Sequence, residues 1–267
     1  MEQAFPIMCI RYHPVKTEVF YAASADGAVY ICNAENGDFS RYIQEEDNEI
    51  NTVDISVNAA LIATGGKDGA VRLYDTDTAE ILMIYQKALK DTSTDALKFH
   101  RMRIFALRFH PTMTETFVTG GWDDMVKIWD IRVKNGCIRN IRGPHICGDA
   151  IDLKENVVLT GSWIVAGSLQ LWDIGSAKLI ETVKPSNRPT TLDGEFLYAV
   201  QYFDGDPYGE MVCAGGSGTG AVEVISLKEN RVLGNFRVNK ATQTIDSHGN
   251  VLAFGGVDPV LRMGEFA

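Results

Sequence analysis

The stretch that most constrains this chain is Phe117–Asp130, FVTGGWDDMVKIWD. It reads as an apolar run, a tight Gly/Asp turn and a second alternating run closed by Trp129–Asp130. That pattern predicts a strand, a hairpin turn and a strand, with Val126 and Ile128 setting one face. Close copies are LIATGGKDGAVRLYD ending at Tyr74–Asp75, VVLTGSWIVAGSLQLWD ending at Trp172–Asp173, and FYAASADGAVYICN ending at Cys32–Asn33. Two looser copies end at Ile225–Ser226 and Met263–Gly264. A unit this small cannot bury its own apolar face and must stack on a neighbour.

The closing dipeptides recur roughly every 40 to 55 residues, the period of a four-stranded propeller blade. A further alternating strand precedes several copies, such as Ile7–Tyr12 before His13–Pro14 and Ile104–Phe109 before His110–Pro111. A fourth follows several, such as Leu179–Val183 and Val232–Val238. The chain therefore resembles the WD-repeat family over nearly all its length. The resemblance implies an all-β chain, a β-propeller of about six to seven four-stranded blades within a single domain spanning residues 1–267. In that family a His, a Ser/Thr, an Asp and a Trp form a buried hydrogen-bonded set, and the matching positions here are His100, Thr119, Asp123 and Trp129. The set is chemically closed: the indole N–H needs an acceptor, the hydroxyl both accepts and donates, and the carboxylate accepts from the imidazole. The second unit keeps Thr64 and Asp68 but has Tyr74 in place of Trp. The fourth keeps Trp172 without a turn Asp, and the fifth and sixth keep almost none of the set.

With 267 residues, 45% hydrophobic and 22% charged, the chain can bury a sizeable core. No apolar run approaches the roughly 18 residues of a membrane span, and nothing reads as a signal peptide. Five scattered cysteines suggest a reducing, intracellular setting, cytoplasmic with the nucleus as the other location. The formal net charge of −10 argues against a nucleic-acid footprint. Two long connections stand out. Gln86–Phe99, with Thr92 and Ser93, reads as a solvated loop, and Pro185–Gly194 as a breaker-rich loop. Asn135–Gly148 reads as the outer strand of the third unit and its crossing to the fourth.

No catalytic constellation emerges. Gly215–Gly220, GGSGTG, lacks the strand-then-helix context of a phosphate loop, because Ala221–Leu227 alternates as a strand. His145, Cys147 and Cys137 lack zinc spacing and read as ordinary buried or capping groups. Ser217 has no nucleophile-elbow context, and the adjacent Asp123 and Asp124 point to opposite faces. No cofactor or metal is expected, and the chain reads as a non-enzyme.

What remains is binding. In WD-repeat relatives partners commonly dock on the narrow face around the central channel. The matching positions are Trp122, Arg103 and Phe105 from the third unit, Lys67, Glu49 and Asn51 from the second, and Met8 from the first. Asp149 and Tyr198 join from the fourth and fifth. Trp, Arg and Phe together are the residue types enriched at interface hot spots. The resemblance thus implies an intracellular scaffold for other proteins or peptides. The alternative is a structural subunit of a coat or pore-like assembly whose open ring a partner completes. Few residues precede the first repeat, and Val260–Phe266 reads as a third strand with no fourth after it. The expectation is an incompletely closed ring or a fragment of a longer chain rather than a self-closed six-bladed one.

Overall fold

The computed structural model describes residues 5–87, 97–133, 136–188 and 194–266. Most of the Gln86–Phe99 connection, with Thr92 and Ser93, and part of Pro185–Gly194 lie outside them. The described residues form 23 strands and no α-helix. The strands make six antiparallel sheets, five of four strands and one of three. The all-β, four-stranded-blade architecture expected from the repeats is therefore the one observed. The chain divides into two compact units, Met1–Asn140 and Ile141–Ala267.

The first unit holds three blades. Blade 1 is β1 (Ile7–Tyr12), β2 (Val19–Ser24), β3 (Ala28–Asn33) and β4 (Phe39–Gln44). Blade 2 is β5 (Ile50–Ile55), β6 (Leu61–Gly66), β7 (Val71–Asp75) and β8 (Ile81–Tyr85). Blade 3 is β9 (Ile104–Phe109), β10 (Thr116–Gly121), β11 (Met125–Asp130) and β12 (Cys137–Arg142). Each is a meander in chain order, the sheet that short hairpin connections build most readily. The β2–β3 and β6–β7 turns show why Asp-Gly recurs. Asp26 Oδ1 accepts from Ala28 N at 3.0 Å and Asp68 Oδ1 from Ala70 N at 2.9 Å. Gly27 and Gly69 take positive φ values of 81° and 73°, which glycine adopts without strain. The closing Asp has its own task. Asp75 Oδ1 accepts from the amides of Asp77 and Thr78, and Asp130 Oδ1 from Arg132, so each fixes the turn into the outer strand. His13 and His110 do likewise: each Nδ1 accepts from two amides two and three residues on.

Burial lies between blades. Tyr21, Val29 and Ile43 of the first pack on Ile50, Val53 and Ile62 of the second. Leu73 and Tyr85 of the second pack on Leu107, Phe117 and Trp129 of the third. Phe117 and Trp129 stack with centroids 5.8 Å apart and planes 8° from parallel. Burying each such side chain fully contributes about 1.5–3 kcal/mol.

The second unit holds blade 4, β13 (Ile151–Lys154), β14 (Val157–Gly161), β15 (Leu169–Asp173) and β16 (Lys178–Thr182). Blade 5 is β17 (Leu197–Tyr202), β18 (Met211–Gly216), β19 (Ala221–Ser226) and β20 (Arg231–Arg237). Blade 6 is the three-stranded sheet β21 (Thr242–His248), β22 (Val251–Gly256) and β23 (Arg262–Glu265). The glycine run after Met211 joins β18 to β19 as a hairpin, with no helix following. Val222 and Val224 of blade 5 pack on Ile245, Leu252 and Phe254 of blade 6.

Candidate docking face

The polar set of blade 3 lies entirely inside the first unit. Trp129 Nε1 donates to Thr119 Oγ1 at 2.7 Å, and His100 Nε2 lies 2.7 Å from the same hydroxyl. His100 Nδ1 is 3.0 Å from both oxygens of Asp123, and Asp123 Oδ2 also accepts from the amide of Arg101 at 3.1 Å. Only one tautomer satisfies every atom: Nδ1 carries the proton to Asp123, and Nε2 accepts from the threonine. Burial holds the imidazole pKa below its ordinary value against the opposing pull of Asp123. The Asp123 carboxyl is also held below its ordinary value: burial is the largest single influence and opposes this, and the His100 hydrogen bond and charge, the Arg101 amide and Lys127 together outweigh it. Buried between sheets, the set stiffens the blade and presents no reactive group to solvent.

The same blade turns a different set outward. The residue after each second strand donates its amide to the carbonyl just before the innermost strand. Lys67 N bonds Glu49 O at 2.9 Å, and Trp122 N bonds Arg103 O at 3.0 Å. Their side chains therefore emerge side by side. Trp122 is 37% exposed and packs on half-buried Phe105 with centroids 5.0 Å apart. The Arg103 guanidinium lies 5.9 Å from the indole centroid and donates to Glu49 Oε2 at 2.6 Å. Lys67 Nζ bonds the other Glu49 oxygen. The hydrogen bond from Lys67, and next that from Arg103, lower the Glu49 carboxyl pKa below its ordinary value. The result is a continuous row, Lys67–Glu49–Arg103–Trp122–Phe105. An aromatic pair with a guanidinium clamped in place loses little side-chain entropy on meeting a partner.

One expected member behaves differently. Asn51 is 5% exposed, and its amide donates to Ile104 O at 2.9 Å, tying blade 2 to blade 3 rather than facing outward. Its short amide reaches the neighbouring strand where Phe105, in the equivalent place, projects away. Met8 is exposed on β1.

In the second unit Tyr198 lies with two residues that the motif reading passed over. Trp163 packs on Phe196 at 4.8 Å and on Tyr198 at 6.3 Å between centroids. Trp163 N donates to His145 O at 2.8 Å, in the crossing that leads into blade 4. Phe196 holds φ at 43°, a left-handed conformation that disfavours an aromatic side chain by about 1–2 kcal/mol. Half-buried Asp149 accepts from Val200 N through its carbonyl at 3.3 Å. Arg188, from the loop before blade 5, has a side chain 7% exposed that pairs with Glu223 at 2.6 Å and Glu195 at 3.0 Å. Burial raises the Glu223 carboxyl pKa above its ordinary value although Arg188 opposes it. Among the described residues no group of three or more His, Cys, Asp or Glu side chains is placed to hold a metal ion.

A family model described as Nucleolar protein 10-like, N-terminal domain, matches residues 6–192, well over half of the chain. Curated relatives include the target of rapamycin complex subunit wat1 of Schizosaccharomyces pombe, 26% identical over 198 residues. That match covers 72% of this chain and 59% of wat1. The mitotic checkpoint protein bub-3 of Caenorhabditis elegans is 26% identical over 193 residues, 72% of this chain and 49% of its own length. Human nucleolar protein 10 is 25% identical over 183 residues, 66% of this chain and 25% of its own length. In all three the chain spans less than two thirds of the relative.

Proposed function

The chain belongs to the Nucleolar protein 10-like N-terminal domain family of β-propellers, and on that premise we propose that it is a non-enzymatic scaffold that docks other proteins. The docking site is the row from Lys67 to Phe105, with Trp122, Phe105 and Arg103 as its anchors. The observation that carries this reading is the pairing of an exposed indole with a phenyl ring and an ion-paired guanidinium on rigid strand ends. Large, preorganised side chains of these types dominate interface energetics. Two relatives carry names that place them in assemblies or checkpoints, a target of rapamycin complex subunit and a mitotic checkpoint protein, which supports the class of role and no particular partner. The scaffold works in the cytoplasm or the nucleus.

The test is quantitative affinity purification with the wild-type chain and with Trp122→Ala combined with Phe105→Ala. Both side chains are at least partly exposed, so thermal unfolding should move little. Recovery of one or more partners should fall at least tenfold, which corresponds to about 1.4 kcal/mol. Undiminished recovery of every partner would remove this face from consideration.

A further inference from the structure

On the premise that the row from Lys67 to Phe105 is a docking site, we propose that its partner is an acidic peptide segment. An Asp or Glu of that segment meets Lys67 and Arg103, and an apolar neighbour packs on Trp122. The row offers two features that ordinarily attract a cation, a carboxylate and an aromatic face. Both already hold cations of the chain itself. Glu49 Oε1 accepts from Lys67 Nζ, and Glu49 Oε2 accepts from Arg103 Nη1 at 2.6 Å. The Arg103 guanidinium also lies 5.9 Å from the Trp122 ring centroid, the place that a basic side chain would take. A partner lysine or arginine would bring a third positive charge against two.

The donors point to the opposite charge. A guanidinium carries five N–H groups and an ammonium three. Glu49 takes one nitrogen of each, and among the described residues no other acceptor is bonded to either side chain. The Lys67 side chain is 50% exposed and that of Arg103 29%, so a ligand can reach the remaining N–H groups. One anion thus serves two cations, and a partner carboxylate beside Glu49 would pair with charges already fixed in place. The surroundings leave this local excess standing. At the blade 3 end, exposed Arg101 and Asp124 carry opposite charges. In the acidic connection before Glu49, Glu45 is buried on Arg72, Glu46 lies near Arg41, and Asp47 is exposed. The net charge of −10 repels an acidic segment at a distance, but charges more than about 8 Å away are largely screened at physiological salt. The aromatic pair lies directly beyond Arg103. An extended segment sets alternate side chains about 6.6 Å apart on one face, so an acidic residue and an apolar one two positions on would span both.

The probe is a phage-displayed random heptapeptide library panned on the immobilised full chain. Enriched sequences should carry Asp or Glu within two or three residues of a large apolar side chain. The best of them, synthesised with a fluorophore, is titrated by anisotropy against the wild type and three variants, whose folding circular dichroism and thermal unfolding verify. Trp122→Ala should weaken binding at least about tenfold, and Arg103→Gln at least about fivefold. Glu49→Gln should strengthen binding roughly three- to tenfold, because the carboxylate that competes for both cations is gone. A gain in affinity cannot come from a damaged fold. If Trp122→Ala changes nothing, the docking row itself is wrong and the acidic partner falls with it. If Trp122→Ala weakens binding while the enriched peptides lack acids, or while Glu49→Gln weakens it too, the row stands and its acidic preference is overturned. Basic peptides that depend on Glu49, or a library that yields no enrichment, overturn that preference as well.

Discussion

Blades 2 and 3 solve one packing problem with different chemistry. In blade 3 the donors run in series, from Trp129 through Thr119 and His100 to Asp123. In blade 2 they converge on one carboxylate. Glu45 accepts from Tyr74 at 2.9 Å and from Thr64 on one oxygen. Its other oxygen accepts from Asn48 at 2.6 Å and Arg72 at 2.9 Å. Arg72 also reaches Asp68, the turn Asp, at 2.6 Å. The difference shows what the repeat needs. A long aromatic with a polar tip must fill the gap between sheets, and its donor must end on a group that other bonds hold in place. The identities of the intermediates are free to change. The two designs differ in how they fail, and that separates them experimentally.

The largest effect should come from Glu45. Its carboxylate is buried and four donors depend on it, one of them the mostly buried Arg72 guanidinium. Glu45→Ala leaves Arg72 with Asp68 alone and strips the shared acceptor from Tyr74, Thr64 and Asn48, and should destabilise the chain by about 3–5 kcal/mol in urea unfolding. A loss near that of an ordinary exposed ion pair, under about 1 kcal/mol, would show that blade 2 does not depend on this carboxylate.

Next in size is a pH response that the polar set of blade 3 has and that of blade 2 lacks. The folded state holds the His100 pKa below its ordinary 6.5. Below that value the unfolded chain binds more protons than the folded one, so the stability present above pH 6.5 is lost as pH falls. The slope is at most about 1.4 kcal/mol per pH unit for one group. The depressed Asp123 pKa adds a loss of the same sign at lower pH. Blade 2 has no histidine in its set. Hydrogen exchange at pH 7 and 5, corrected for intrinsic rates, should therefore show β10 losing more protection than β6. Equal losses in both would show that His100 is not the titrating group.

How far these sets were legible depended on whether a residue sits in a repeated column. Thr119, Asp123 and Trp129 do, and the family resemblance adds His100 to them. Glu45 does not. It lies in the acidic connection QEEDNE, and only the path of the chain decides which of those carboxylates turns inward. Arg188 was equally hidden, because its partner Glu223 is 35 residues away and reads as one polar member of an alternating strand. Trp163 carried a usable signal. TGSW aligns with TGGW at Trp122, but a rule keyed to the turn Asp overlooks a unit that has none. Asn51 failed for the opposite reason: its column was read correctly, yet a short amide can bond a neighbouring backbone where a longer side chain cannot.

The finest distinction between the blades lies in two tyrosines on strands of the same sheet. Tyr74 donates to Glu45, and burial, with the Glu45 carboxylate beside it, raises its pKa. Tyr85 packs on Trp129 with centroids 5.0 Å apart, but its hydroxyl is buried with no hydrogen-bond partner among the described residues. Burial pushes its pKa up to about 12, which keeps it neutral. Tyr74→Phe removes a donor from a satisfied set and should cost about 0.5–1.5 kcal/mol. Tyr85→Phe removes a polar atom that gains nothing from its surroundings. It keeps the ring against Trp129 and should leave stability unchanged or raise it by up to about 1 kcal/mol. Two equal losses in thermal unfolding would mean that Tyr85 has a partner in solution, and the contrast between a satisfied and an orphaned hydroxyl would not hold. Opposite signs would show that, between these sheets, a polar atom stabilises only where a fixed acceptor awaits it.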